Sequence, residues 1–421
     1  MSGVKEMDML KLLQRSPERG VVVYEIDSTY DSIDQRIKRY IASTPETRRV
    51  CTQSDLIDTI HKDFFSDVLI DGISRIILSD TMSSMLEETW GDRRKENEDG
   101  EKDRGERNYL DQYTILRGGL NFDVTKAIFR LGYRVKQQMR LAQRHDPNGD
   151  GKNWIVYGSG EKKIFEKEEP QHVRSIHMVV GDISASGASI RDGLEKFVER
   201  MEAKHKEFRE EYGSNARYTI GSITLTTIGC INTEREIQKF VTENQQYFTD
   251  GFVFNLLYLE GRFGLANLEE TSIPNQKPGT DFLPGVGEGA LISPEFEEHW
   301  LSNPVYPLEK CIIYDGGGKR CDPQVALENV QDHFKALQGL SSENRESLYE
   351  ALLERAPYLM SNDVDEWRAA HPGWQDKDVV PDSLIKKIIT TKNDMLAQHP
   401  DTHQELNQLY QQRIEYLQTL K

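Results

Sequence analysis

Cysteine is scarce in this chain: four residues in 421, at Cys51, Cys230, Cys311 and Cys321, with no Cys-x-x-Cys pair and no histidine spacing that completes a zinc site. A disulfide scaffold and a zinc module are excluded, and reduced intracellular thiols are expected. No window approaches the roughly eighteen consecutive apolar residues of a membrane-spanning helix. The opening Met1-Ser2-Gly3-Val4-Lys5-Glu6-Met7-Asp8 has no apolar stretch behind a basic start, so no secretory leader is expected and the expected location is cytoplasmic. An excess of basic charge is missing as well. The chain has 53 Lys and Arg against 70 Asp and Glu, a net charge of −17, which argues against broad nucleic-acid or anionic-membrane binding while leaving room for a local basic pocket. The two commonest phosphate loops, Gly-x-x-x-x-Gly-Lys-Ser/Thr and Gly-x-Gly-x-x-Gly, are also absent. A nucleoside triphosphatase and a dinucleotide-binding protein therefore both lack their fingerprints.

What is present begins with enough apolar material for a sizeable core: 37% hydrophobic residues, with 5 Trp, 17 Tyr and 15 Phe, in a length that suits two or three domains. The most informative segment runs from Ile176 to Ile190. Val179 and Val180 suit a buried parallel strand, and Asp182 stands where that strand ends. Ser184 to Ser189 carry no side chain larger than a hydroxymethyl, so their backbone N–H groups can approach an anion closely. Helical sequence follows from Ile190 to Phe197, and a helix N-terminus favours a phosphate. The segment has the shape of a phosphate cradle; a serine-capped strand-to-helix turn is the plainer alternative.

A second strand, glycine turn and helix appear at Tyr113 to Leu116, Arg117-Gly118-Gly119-Leu120 and Val124 to Leu131. Parallel strands joined through helices imply an open α/β sheet whose ligands lie beyond the carboxyl ends of the strands, so both glycine turns are expected at one crevice. Before this unit, Val21 to Ile26 and the pattern at Ile33, Ile37, Tyr40 and Ile41 suggest an N-terminal arm or added strand over residues 1–53. The apolar residues from Leu56 to Ile76 recur at helical spacing. Residues 91–108 contain no apolar residue and read as a solvated loop.

Between the two units, Arg134 to Val173 is polar. Its Asp146-Pro147-Asn148-Gly149-Asp150-Gly151 opens like a calcium loop, but Tyr157 stands at the twelfth position, so turns are the expected reading. Further strands are expected at 216–228 and 252–259, with a helix at 234–241 between them. Residues 272–307 are rich in proline and read as an irregular excursion. The triple glycine of Asp315-Gly316-Gly317-Gly318-Lys319-Arg320 is given no catalytic role. Beyond Asp322 the pattern is wholly helical. The expected organisation is an N-terminal arm at 1–53, an α/β domain at 54–322 and a helical appendage at 323–421.

Three short motifs carry a resemblance. Asp182 followed by Ser186-Gly187-Ala188-Ser189 resembles the phosphoribosyl-pyrophosphate (PRPP) loop of type I phosphoribosyltransferases. Ile115-Leu116-Arg117-Gly118-Gly119-Leu120 looks like their pyrophosphate loop, nearest to the uracil branch. Pro284-Gly285-Val286-Gly287-Glu288-Gly289-Ala290 is similar to the segment with which uracil enzymes hold the base. The resemblance covers about 110–292. Two positions depart from the pattern: Gly181 stands where the family carries its first acid, and Glu288 stands where the uracil enzymes have an Asp. Ala185 agrees with the uracil enzymes.

The resemblance implies an open, mostly parallel sheet with helices on both faces, to which the helical appendage is added. It also implies PRPP-dependent transfer of a phosphoribosyl group to a pyrimidine-like nucleobase, with release of pyrophosphate. In that reading Asp182 and Arg117 are catalytic, while Gly118, Gly119, Ser184, Ala185, Ser186, Gly187, Ala188 and Ser189 bind PRPP. Gly285, Val286 and Glu288 contact the base. Mg²⁺ is carried by PRPP, with no direct protein ligand unless Asp182 reaches its water shell. A homo-oligomer and a protein partner for 323–421 are expected. The alternative is a regulatory or conflict-system effector module that binds PRPP or a nucleotide without ordinary turnover.

Overall fold

The computed structural model describes residues 9–16, 20–27, 33–52, 64–90, 110–116, 122, 124–130, 135–145, 153–159, 174–212, 218–266, 281–309 and 323–421. Along the chain the first half contains β1 (Met9–Ser16), β2 (Val21–Asp27), β3 (Ile37–Ser43), α1 (Pro45–Thr52), α2 (Phe64–Ile77), α3 (Asp80–Trp90), β4 (Leu110–Leu116), α4 (Val124–Arg130), β5 (Val135–His145) and β6 (Asn153–Ser159). Then follow β7 (Arg174–Ser184), α5 (Ala188–Tyr212), β8 (Tyr218–Cys230), α6 (Ile231–Glu243), β9 (Phe248–Leu265), the short β10 (Phe282–Leu283) and β11 (Leu291–Ile292), and α7 (Pro294–Trp300). The C-terminal region is helical: α8 (Pro323–Asn344), α9 (Leu348–Arg355), α10 (Val364–Ala370), α11 (Asp382–Gln398) and α12 (His403–Thr419).

The strands form one sheet in the order β1-β2-β3-β9-β8-β7-β4-β5-β6, with β10 and β11 both pairing with β9. Its centre is parallel, from β5 through β4, β7, β8 and β9 to β3. Antiparallel strands close both edges. From β4 the chain moves outward to β5, whereas from β7 it moves the other way, to β8 and β9. The order reverses between β4 and β7, and in open α/β sheets the crevice at such a reversal is where ligands bind. β4 ends there at Leu116, and β7 at Ser184.

Local chemistry explains the elements. Every residue of β8 is buried, as expected for a central strand covered on both faces, and its Thr and Ile residues are β-branched and suit the pleat. In α5, Ile190, Leu194, Phe197, Val198 and Met201 form one buried stripe, with the three- and four-residue spacing of a helix laid on a sheet. The region read as an irregular excursion contains a regular element, α7. Ser293 caps it by accepting from the Phe296 N–H at 3.1 Å, and Pro294 stands in its first turn; this is a helix start that the count of prolines outweighed.

The C-terminal helices pack on the same core. Trp374 meets the ring of Tyr24 edge-on at 4.8 Å, and the Trp367 indole N–H lies 3.0 Å from both carboxylate oxygens of the buried Glu297 on α7. Among the described residues no helix is long and apolar enough to cross a membrane.

Candidate functional site

The candidate site grows from the end of β7. Residues 176–182 are buried, and the strand pairs with β8 through Ser184 opposite Gly229. Asp182 is only 6% exposed, and its Oδ1 accepts the Ile183 N–H at 2.8 Å. The chain then bends over 185–187 and enters α5, where the Arg191 N–H bonds the Gly187 carbonyl at 3.0 Å. Gly187 has φ +78°, a left-handed conformation, and a Cβ there would lie 2.9 Å from the Asn232 carbonyl oxygen. Both turn and close approach therefore require glycine. Ser186, Ala188 and Ser189 are exposed, so the N-terminal turn of a 25-residue helix faces solvent behind small side chains. This is a suitable surface for an anion.

The absence of an acid at position 181 has a packing cause. A Cβ on Gly181 would lie 2.8 Å from Val124 Cγ2 and 3.0 Å from the Phe122 carbonyl oxygen, and closer still to Phe122 Cβ. Phe122 is 1% exposed, so the start of α4 occupies the space that a side chain at 181 would need. The missing carboxylate and the close approach of Phe122 and Val124 to the strand are two sides of one arrangement.

The 284–290 loop lies beside the end of β9. Gly264 on that strand and Val286 are in such close apposition that a Cβ on Gly264 would collide with the Val286 carbonyl. Gly285 (φ +69°) is covered by the ring of Tyr358 from the helical region, whose hydroxyl donates to the Pro284 carbonyl at 2.6 Å. Val286 is half-buried and Glu288 exposed. Glu288 pairs with Arg235 of α6, and that hydrogen bond holds its carboxyl below the ordinary range. A Cβ on Gly289 would lie 2.9 Å from Ile231 Cβ.

The phosphate-loop candidate and the 284–290 loop meet the same structure, the first turn of α6. On one side Cys230 Sγ lies 2.5 Å from the Ala185 carbonyl, and Thr233 Oγ1 lies 2.9 Å from both the carbonyl and the hydroxyl of Ser184. On the other, Glu234 is 1% exposed and accepts from Arg39 at 3.0 Å and Arg262 at 2.8 Å. The same Arg262 donates its Nε–H to the Gly289 carbonyl at 2.6 Å. Burial pushes the Cys230 thiol up. Burial, then the Glu234 charge, raise the neighbouring Tyr258 hydroxyl well above the ordinary range. None of these α6 contacts carries a local sequence signal, since Arg39 and Glu234 are 195 positions apart.

Of the residues singled out from sequence, Asp182, Ser184 to Ser189, Gly285, Val286 and Glu288 lie on two segments that meet at α6, the first running from the end of β7 into α5 and the second the 284–290 loop. Arg117, Gly118 and Gly119 lie outside the described residues, as do Asp146 to Gly151 and Asp315 to Arg320. Among the described residues no group of three or more His, Cys, Asp or Glu could hold a metal ion. A cation at this site would take Asp182 together with ligand phosphates and water, a donor set that Mg²⁺ accepts.

No family model matches the chain, and no curated protein matches it. Among solved structures it is similar to the hypoxanthine-guanine phosphoribosyl transferase of L. donovani, at 12% identity over 37% of this chain and 67% of that one, with a TM-score of 0.20. The adenine phosphoribosyl transferase of Trypanosoma brucei is similar at 11% identity over 46% of this chain and 65% of that one, with a TM-score of 0.22. A hypoxanthine phosphoribosyltransferase from Staphylococcus aureus gives 9% identity over 50% and 73%, with a TM-score of 0.19. Identities and scores this low decide nothing about chemistry, which rests on the residues described above.

Proposed function

We propose that this chain binds PRPP with Mg²⁺ and transfers its phosphoribosyl group to a pyrimidine-like nucleobase, releasing pyrophosphate. The observation that carries the reading is the meeting of two loops, 184–189 and 284–290, on one helix turn at the carboxyl end of a parallel sheet. In this reading the 5′-phosphate rests against the backbone of Ser184 to Ser189 and the N-terminus of α5. Asp182 faces the ribose hydroxyls and lends negative charge to an oxocarbenium-like centre. Arg117, Gly118 and Gly119 receive the pyrophosphate, and Gly285, Val286 and Glu288 face the base. When bound, Mg²⁺ relieves the charge of the departing pyrophosphate. Little covalent work falls to the protein; positioning and electrostatics supply the rate. The catalytic unit is assigned to 54–322, and 323–421 to contacts with a protein partner.

One observation favours a second reading. Phe122 fills the place of the first acid beside Gly181, which leaves Asp182 alone to grip the ribose. This suits a PRPP- or nucleotide-binding regulatory or effector module without ordinary turnover. Isothermal titration with PRPP and Mg²⁺, followed by a pyrophosphate-release assay over a panel of bases, separates the two. The transferase reading expects binding and release with at least one base. Binding without release for every base leaves the module, and no binding sinks both.

A further inference from the structure

The first turn of α6 touches the two candidate loops with different, non-overlapping side chains. Thr233 and Cys230 reach the phosphate side, at 2.9 Å to Ser184 and 2.5 Å to the Ala185 carbonyl. Gly187 packs backbone to backbone against Asn232 and Thr233. Glu234, Arg235 and Ile231 reach the other side through Arg262, Glu288 and Gly289. Thr233 and Glu234 are adjacent in a buried helix turn, both essentially without exposure. A displacement of Thr233 cannot leave Glu234 where it was, because packed interiors transmit strain and do not absorb it. The ion cluster is also tightly braced, with Arg39 holding Glu234 from β3 while Arg262 binds both Glu234 and the Gly289 carbonyl.

We infer that Thr233 and Arg262 are positioning residues through which occupancy of the 184–189 loop orders the 284–290 loop, so that a phosphate-bearing ligand prepares the site for its second ligand. This inference rests on the phosphoribosyl reading above. An anion drawn against Ser184 to Ser189 fixes the Ser184 carbonyl and hydroxyl that Thr233 holds. The α6 turn is then fixed, and with it the Glu234–Arg262–Gly289 chain. The coupling is reciprocal by thermodynamic necessity, whatever the second ligand is.

The test is hydrogen–deuterium exchange on the full chain, with and without PRPP and Mg²⁺, read separately in peptides covering 184–190 and 284–290. In the unaltered protein PRPP slows exchange in both peptides, by about fivefold or more in the second, the lower end of ordinary coupling. Thr233→Val keeps protection at 184–190 and loses it at 284–290, while Thr233→Ser, which retains the hydroxyl, restores both. Arg262→Lys, which keeps the charge facing Glu234 but loses the Nε–H that reaches Gly289, behaves like Thr233→Val and serves if that variant does not fold. Undiminished protection at 284–290 in the Val and Lys variants overturns the coupling while leaving PRPP binding intact. Absence of protection at 184–190 in the unaltered protein overturns the phosphoribosyl reading, and the coupling with it.

Discussion

Adding one methyl group at position 181 tests whether the missing acid is a packing choice. At an unstrained site Gly→Ala stabilises by about 0.4–1 kcal/mol, because the unfolded chain loses freedom. Here the new Cβ would stand 2.8 Å from Val124 Cγ2 and 3.0 Å from the Phe122 carbonyl oxygen, with Phe122 Cβ nearer than either. A Cβ cannot rotate away from a backbone carbonyl, so the overpacking penalty, about 1–3 kcal/mol, outweighs the entropic gain. Gly181→Ala is therefore expected to destabilise by about 2 kcal/mol. Phe122→Gly alone, which removes the crowding Cβ as well as the ring, creates a cavity and costs at least as much as a Phe→Ala change, about 3–5 kcal/mol. In the double variant the methyl enters vacated space, so the combined loss should fall short of the sum by about 1–2 kcal/mol. Equilibrium urea unfolding of the four proteins reads the cycle. Additivity within about 0.5 kcal/mol, or a Gly181→Ala protein as stable as the parent, would refute the packing explanation. Gly181→Asp, which restores the family's acid in sequence, should be less stable than the alanine variant and should not raise pyrophosphate release.

Three further expectations follow from particular groups. Glu260 is fully buried at φ +65°, and burial raises its carboxyl from an ordinary 4.5 to about 7, against the hydrogen bond from Thr47 and the charge of Arg48. A raised carboxyl contributes stability that is whole below pH 4.5 and lost as pH climbs through about 7, a loss of about 3 kcal/mol. Thermal unfolding from pH 5 to 8 should show this slope, and Glu260→Gln should flatten it; equal slopes in both proteins would count against it. Tyr358→Phe deletes the 2.6 Å bond to the Pro284 carbonyl. It should cost about 1–3 kcal/mol and speed exchange at 284–290, whereas an unchanged exchange rate there would remove Tyr358 from the loop's support. His371 is pulled down by burial, but the charge and hydrogen bond of Glu297 3.2 Å away turn the net shift upward. Glu297→Gln should bring the imidazole below 6.5 in an NMR titration, and a value that stays raised would mean that Glu297 is not the cause.

The parts of the fold legible in the sequence are those whose signal is local. Val179 and Val180 running into a stretch of small residues define a strand, a tight loop and a helix without help from elsewhere, and β8 declares itself through its β-branched residues. The strands toward the β6 end of the sheet do not. β5, with Lys136, Gln137, Gln138 and Arg140, is held by pairing to β4 and β6, and backbone pairing leaves no mark on composition. The candidate site divides along the same line. Its loops carry local patterns, whereas the turn that joins them works through Arg39, Glu234 and Arg262, drawn from β3, α6 and β9.

Gly181 shows what this costs a reading from sequence. In a line of residues it appears as a lost carboxylate, and the natural conclusion is a weakened enzyme. Against Phe122 it is the only residue that the start of α4 leaves room for, so that end of β7 has exchanged one charged contact for a packed wall at the strand-order reversal between β4 and β7. A site arranged this way must hold its ligand mainly through loop backbone and through Asp182. The two loops and the helix turn between them, and not a pair of acids, are then where substitutions should bear most heavily on binding.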